Sequence, residues 1–383
     1  YALILLRKDG LPCVFYGDYY GIPSQNVCAK KEMLDNMMQI RKQYAYGEQI
    51  DYFDHHDVIA WIRTGDEEHP NSGLVTIMSD GPGGGKAMNV GLNAAKGKWI
   101  AFVESDDYIL SNMYKELVEI AEKNSLDFIK TNLCRFYGEG NERFFQTTQI
   151  IKNQKLLNVI LNPSEDPRLL NAVMNNVTGI FRREFLDANK IRFNETPGAS
   201  FQDNGFWFQT FIYGSRAMFA DKNYYMVRRD NPNSSVKSKK KIYCMRDEYK
   251  YILSILEKDQ KIFDLFIYQW CKKLFSNCVG TLNRIDYRYR EEFLITMSKD
   301  FNYFENKGWI DLCLFNPRER KMLLSIMHDP VSYNVDFINN RINKAKKTIK
   351  KNSKKINSTA KKLEALQGSY SLKIGRFLKG KKQ

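Results

Sequence analysis

The chain has 383 residues, of which 43% are hydrophobic and 13% aromatic, which excludes a chain disordered throughout and supports packed cores in two or three domains. Its 59 Lys+Arg against 44 Asp+Glu give a formal net charge of +15, which first suggests a nucleic-acid partner. That charge is confined: residues 341–383 hold 15 Lys/Arg and one acid, Glu364, whereas the preceding 340 residues hold 44 basic and 43 acidic side chains. The body is electrically ordinary and the basicity is a tail. Seven cysteines, odd in number and without a C-x-x-C pair, argue against paired disulfides and for a reducing cytosol. The four histidines do not space with them as a zinc site would. No apolar run reaches the roughly eighteen residues that a bilayer span needs. The chain begins at Tyr1 rather than Met, which suggests a piece of something longer.

Residues 1–6 are apolar, residues 12–16 predict a short buried strand, and Gly17, Gly21 and Pro23 punctuate a loop. Met33, Leu34, Met37, Met38 and Ile40 recur at helical spacing and predict one amphipathic helix over 30–46. Strands are expected at 58–63 and 74–79, around a polar turn with Pro70 and Gly73. A Gly-rich break, Gly81-Pro82-Gly83-Gly84-Gly85-Lys86, follows. From Ala87 the pattern alternates: helix 87–96, an apolar strand 99–103, a helix from an N-cap at Ser111 to about Asn124, and a strand 127–132. Strands near 218–220 and 224–228 and a helix over 203–213 come later, and beyond Lys241 the chain reads as mostly helical.

The Gly-rich break is not a phosphate loop, because only three residues separate Gly81 from Gly85 and Ala87 follows the lysine. Glu104-Ser105-Asp106-Asp107 is more informative. Its carboxylates follow an apolar strand, at the edge where open α/β sheets bind ligands, and such carboxylates can share a divalent cation with a diphosphate. From these four residues alone, a solvated acidic turn is an equal reading. Asp203 taken alone reads first as an ordinary helix N-cap. Arg228 or Arg229 has the geometry to fork phosphate oxygens, and a solvated turn explains them as well.

Residues 89–108, Asn89-Val90-Gly91-Leu92-Asn93-Ala94-Ala95-Lys96-Gly97-Lys98-Trp99-Ile100-Ala101-Phe102-Val103-Glu104-Ser105-Asp106-Asp107-Tyr108, closely resemble the central signature of family 2 glycosyltransferases. That resemblance implies an α/β fold of the GT-A (Rossmann-like) kind, with a D-x-D motif that binds Mg²⁺ or Mn²⁺ and the sugar diphosphate. Glu104 and Asp106 occupy the two acidic positions, with Glu where Asp is usual, and Asn89, Gly91, Asp107, Arg228 and Arg229 fall among the donor-binding positions. Residues 194–204, from Asn194 to Asn204, resemble the acceptor-side segment of the same family, which places Asp203 as catalytic base; Gln202 stands where many members carry another acid. The loop 228–235 resembles the one that follows the acceptor domain's last strand.

Residues 1–86 resemble a different family. Gly10-Leu11-Pro12-Cys13-Val14-Phe15-Tyr16-Gly17-Asp18-Tyr19-Tyr20-Gly21 looks like family 13 α-amylases at the last barrel strand, and the segment from Asp54 looks like the start of their β-domain. The catalytic carboxylates of an amylase lie on earlier strands, so Asp18 and Asp54-His55-His56-Asp57 read as scaffold. The expected organisation is an amylase-like fragment (1–86: last barrel strand and helix, first β-domain strands), a GT-A core without its N-terminal nucleotide-binding strands (87–240), a helical region (241–340) and a basic tail (341–383). The join near Lys86–Asn89 reads as a chimeric coding sequence, from recombination or misassembly.

The resulting expectation is an inverting glycosyltransferase, impaired by the lost strands, that uses a nucleotide-diphosphate sugar and a glycan or lipid-linked acceptor. The alternatives are an amylase fragment without its catalytic carboxylates and a non-enzymatic, basic-tailed membrane-binding module. Residues 341–362 carry Lys at helical spacing with few large apolar side chains and read as a solvated helix or a linker. Leu372, Ile374, Phe377 and Leu378 among cations suit an anionic membrane surface. Nucleic acid is not expected, since interleaved aromatics are missing from the tail. The expected location is cytoplasmic, peripheral on the inner face of the cell membrane.

Overall fold

The computed structural model describes residues 1–25, 27–53, 58–79, 84–104, 106–138, 142–196, 201–231 and 241–367. Ser105, the Asp54–Asp57 cluster, residues 81–83 and 197–200, the loop 232–235 and the tail beyond 367 lie outside the described residues. The chain divides into two compact units, Tyr1–Ile285 with Trp309–Leu314, and Asp286–Gly308 with Phe315–Gln383.

The first unit opens with α1 (Ala2–Leu5), α2 (Tyr16–Tyr20) and α3 (Lys31–Tyr44). The strand expected at 12–16 does not form: residues 12–15 have no regular structure, Tyr16 starts a helix, and Leu11 and Phe15 are exposed. A barrel strand is held by neighbours on both sides, and no described strand lies beside this one, so its backbone groups have no ladder to join. In α3 only Leu34 is buried, against Leu5, Leu6 and Trp61, while Met33 and Met38 face solvent. Strands β1 (Gln49–Tyr52), β2 (Val58–Arg63) and β3 (Leu74–Ser79) form a separate antiparallel sheet in that order.

Next come α4 (Gly84–Ala94), β4 (Trp99–Ile100), β5 (Tyr108–Ile109), α5 (Met113–Lys123), β6 (Phe128–Tyr137), β7 (Phe144–Thr148), β8 (Ile160–Leu161), β9 (Gly179–Arg182), α6 (Arg183–Ala188), α7 (Asp203–Tyr213) and β10 (Ala217–Arg228). The strands build a mixed sheet ordered β4-β9-β6-β10-β5, with β7 on β6 and β8 on β10. Its centre is the parallel β6–β10 pair, whose register shifts between Ala220 and Tyr225. That irregularity joins the two strands expected at 218–220 and 224–228 into one bent strand. Strand β4 stops at Ile100 rather than continuing to Val103; among the described residues it is an edge strand paired with β9, so the residues beyond it have no ladder to join. Residues 101–104 leave the sheet, and Ala101 and Val103 are exposed. Ser111 is not the N-cap of α5; the helix starts one residue later than that would allow, behind Asn112, whose side chain bonds Glu116 instead.

Helix α5 covers one face of the sheet with Met113, Leu117 and Ala121 against Ile129, Ile180 and Tyr225. Helix α7 is buried at every position from Asn204 to Ile212, with Phe206 stacked on Phe193 and edge-on to Phe181, Phe211 tilted against Phe128, and Trp207 against Phe211. Helices α8 (Cys244–Leu256) and α9 (Gln260–Arg284) complete the unit, the latter capped by Asp259. Helix α4 links the two sheets. Gly91 is pressed so closely on β3 that a Cβ there would stand 2.8 Å from Ile77 Cδ1. Asn89, on the same helix, clamps Phe193, accepting its N–H at 2.8 Å and donating to its carbonyl at 2.9 Å.

The second unit packs α10 (Arg290–Asn306), α11 (Pro317–His328) and α12 (Pro330–Gln367) around Phe293, Met297, Leu323 and Ile326. Asn316 and Glu319 form a reciprocal capping box at the start of α11. Arg290 anchors the start of α12 through Asn334 at 3.1 Å and the Phe337 ring at 3.8 Å.

Strand β6 buries a charge. Lys130 is fully enclosed, donates to the Asn175 carbonyl and lies 4.9 Å from the Phe181 ring centroid. Burial lowers its pKa to about 7. In the unfolded chain a lysine holds its proton to about pH 10, so between about pH 7 and 10 the unfolded state binds more protons and stability rises with pH. Lys130→Met is expected to raise the melting temperature at pH 7 and to flatten that rise; an unchanged pH slope would sink the assignment.

Candidate functional site

The acidic loop owes its position to the topology. From β4 at one edge of the sheet the chain must reach β5 at the other end of the strand order, so residues 101–107 pass across the strand ends. Tyr225 of β10, fully buried, fixes that crossing: its hydroxyl accepts the Glu104 N–H at 2.9 Å and hydrogen-bonds the Asp107 carboxylate. Asp107 also accepts the Arg228 N–H at 2.8 Å, and Asp106 accepts from the Asn231 amide at 2.7 Å. Both ends of the loop are thus tied to the end of β10 and the residues just after it.

Helix α7 brings the next carboxylate. Asp203 is its first residue, and Phe201 just before it adopts φ +68°, a left-handed conformation costly for a bulky residue. Gln202 holds the approach by donating to the Thr196 carbonyl and hydroxyl, both at 3.1 Å. Glu248 of α8 is buried beneath this turn, accepting the Gly205 N–H at 3.0 Å and the Asn194 amide at 2.9 Å. A side chain at Gly205 would collide with it, since a Cβ would lie 2.2 Å from Glu248 Oε1.

These acids feel one another. Glu104 stays open to solvent, but crowding protein around its carboxyl, then Asp107, Asp203 and Asp106, raise its pKa to about 7. Asp107 rises to about 6, chiefly by burial. Burial also raises Asp203, against the opposing hydrogen bonds of Asn204. Glu248 reaches about 7 through burial, with Asp203 adding to it. Arg229 is half-buried and lies within electrostatic reach of Asp107 and Asp106; burial and then Arg135 lower its pKa. Arg228 turns elsewhere, its Nε donating to Asp230 at 2.9 Å.

The structure therefore gathers Glu104, Asp106, Asp107, Asp203 and Arg229 around one crowded, net-negative rim, with the Arg228 backbone at its border. Asn89 and Gly91 it places in the packing of α4; the Asn89 amide also reaches Glu195 at 2.9 Å. Sequence reasoning missed Tyr225 and Glu248. The signal for Glu248 was present, because it interrupts the otherwise apolar stripe Met245, Tyr249, Ile252 and Leu256 of an amphipathic helix.

Among the described residues no three His, Cys, Asp or Glu side chains converge closely enough to hold a metal unaided. A Mg²⁺-type ion held by one or two carboxylates and substrate phosphates needs no such triad. The mutual repulsion of these acids is what a cation would relieve. A concavity of about 320 Å³ lies elsewhere, lined by Lys8, Arg41, Lys42 and Arg63, and shares none of these residues.

A mixed α/β sheet with a carboxylate-rich loop across its strand ends is the class of fold expected of a partial GT-A domain. Residues 68–188 match the family model described as glycosyl transferase family 2. The chain thus carries a family 2 glycosyltransferase domain behind an α-amylase-like N-terminal segment.

An uncharacterized glycosyltransferase of Bacillus subtilis (strain 168), EpsJ, is 30% identical over 153 residues, 39% of this chain and 42% of that protein. Glucan 1,4-alpha-maltohexaosidase of Bacillus sp. (strain 707) is 57% identical over 99 residues, 26% of this chain and 19% of that protein. The chain thus spans about a fifth of that amylase-type relative and about two fifths of the transferase relative. The crystal structure of S. aureus TarS 1–349 in complex with UDP-GlcNAc aligns with a TM-score of 0.46 at 18% identity, covering 67% of this chain and 70% of that one.

The raised carboxylates predict a pH signature. Glu104 and Glu248 bind protons more tightly folded than unfolded, so their stabilising contribution is complete below about pH 4 and is lost as pH rises through about 7. The double variant Glu104→Gln, Glu248→Gln is expected to flatten the fall in melting temperature between pH 4.5 and 7. A fall as steep as in the parent protein would contradict the arrangement.

Proposed function

We propose that residues 87–240 form the core of an inverting glycosyltransferase that moves a sugar from a nucleotide-diphosphate sugar to a hydroxyl of a glycan or lipid-linked acceptor. The observation that carries this reading is the placing of the Glu104–Asp107 loop in electrostatic contact with Asp203. Asp106, with Glu104, would hold the Mg²⁺ or Mn²⁺ ion, and Asp203 would be the base. When bound, such an ion supplies neutralising charge to the departing diphosphate.

The acceptor oxygen attacks the anomeric carbon while its proton passes to the Asp203 carboxylate, and the bond from that carbon to the diphosphate oxygen breaks on the opposite face. One displacement inverts the configuration. The burial that raises Asp203 makes it the stronger base for this transfer. Arg229, facing Asp106 and Asp107, is the better of the two arginines for phosphate oxygens, because Arg228 is engaged with Asp230.

Turnover by this chain is expected to be weak or absent. In GT-A domains the strands ahead of the acidic loop cradle the nucleotide base; here β4 is an edge and the preceding strands β1–β3 pair among themselves. Among the described residues no helix is long and apolar enough to cross a membrane. Within the basic tail, 341–383, residues 369–379 are proposed to rest on an anionic membrane surface, where a lipid-linked acceptor would be found.

Calorimetric titration of UDP and GDP with Mn²⁺ tests the site. Asp106→Asn is expected to weaken metal-dependent binding at least tenfold, and Asp203→Asn to leave it unchanged. Equal loss in both variants, or in neither, counts against these roles. Turnover of any nucleotide-sugar by the full chain would overturn the impairment.

A further inference from the structure

Helix α12 carries a second pattern, unrelated to the acidic rim. Val335, Ile342, Ile349, Ile356 and Leu363 recur at every seventh position, and all five are exposed, Ile349 and Ile356 at 65% and 67%. Residues 343–366 are exposed throughout. Ile338, Ala345, Asn352 and Thr359, each three residues further on, complete a narrow seam. Asn352, Ile356, Thr359 and Leu363, with Lys355 and Ala360, line a shallow groove along it.

A seven-residue repeat held over five positions is the mark of a helix wound on another helix, because a straight helix drifts by about 20° per heptad relative to that spacing. β-Branched residues at the first position suit a two-stranded pairing. A bilayer calls for a broad apolar face with bulky side chains on every turn; here one large side chain appears per two turns, flanked by Lys346, Lys354 and Lys355.

The charge selects the occupant. Residues 341–367 carry ten Lys/Arg and one acid, Glu364, and Arg341, Lys346, Lys355 and Lys362 take the positions that border the seam. Arg341, Lys355 and Lys362 lie on one border and Lys346 on the other, with no acid on either, so a second copy brings no opposite charge to meet them. We propose that α12 is a docking helix for another protein's amphipathic helix with Val, Ile or Leu along its seam and Glu or Asp along its borders, forming a two-stranded coiled coil.

The test uses the full chain and a labelled four-heptad peptide with Ile and Leu in the seam and Glu at both borders. Fluorescence anisotropy at 0.15 M salt is expected to show binding that weakens as salt rises. A scrambled peptide of the same composition is expected to bind at least tenfold more weakly. The double variant Ile349→Ser, Ile356→Ser, at exposed positions outside both cores, should lose binding while keeping the parent melting temperature. Equal binding of the scrambled peptide, or retention by the double variant, would reduce the contact to bulk charge and overturn the proposal. Overturning it equally would be a self-dimer in sedimentation that the double variant abolishes, or seam-dependent binding to vesicles of acidic lipid without binding to the peptide.

Discussion

One phenol organises the acidic rim. The Tyr225 hydroxyl accepts the Glu104 N–H and bonds Asp107, so a single buried group on β10 holds both ends of a loop whose carboxylates repel one another. The loop's acids favour spreading into water, and the hydrogen bonds from Tyr225, the Arg228 N–H and Asn231 oppose that tendency. The phenol stands on the far side of the register shift between Ala220 and Tyr225, where β10 resumes its parallel pairing with β6 at Leu133. Central sheet, strand irregularity and acid rim form one chain of dependence.

Glu248 adds a layer beneath it. A carboxylate that accepts the Gly205 N–H at the start of α7 offers the negative charge a helix N-terminus favours. It also stands close enough to Asp203 for that carboxylate to add to the cost of charging it. The glycine is required by that approach, so Gly205 and Glu248 act as one unit although forty-three residues separate them.

Much of this was legible in the residues. Strands β2 and β3 and helix α7 lie at the expected positions, because apolar runs bounded by Gly and Pro, or an aromatic stripe behind a helix-start Asp, leave little choice. The acid loop and Asp203 were visible as residue types, and their proximity was not, since it depends on a crossing from β4 to β5 that no local pattern encodes. The strand expected at 12–16 failed for a related reason. Its residues suit a strand, but a strand exists only with neighbours, and this sheet offers none. The early stop of β4 has the same origin. The seven-residue seam in α12 was present in the sequence and masked by lysine density, which made the segment read as a solvated helix.

Helix α4 is pressed on Ile77 of β3 through Gly91 and clamped to Phe193 through Asn89. Opening either sheet therefore disturbs contacts that serve the other. The helix is thus a shared support rather than a free tether. Substitutions on its two sides are therefore expected to be non-additive, because a shift on either side alters contacts that the other uses.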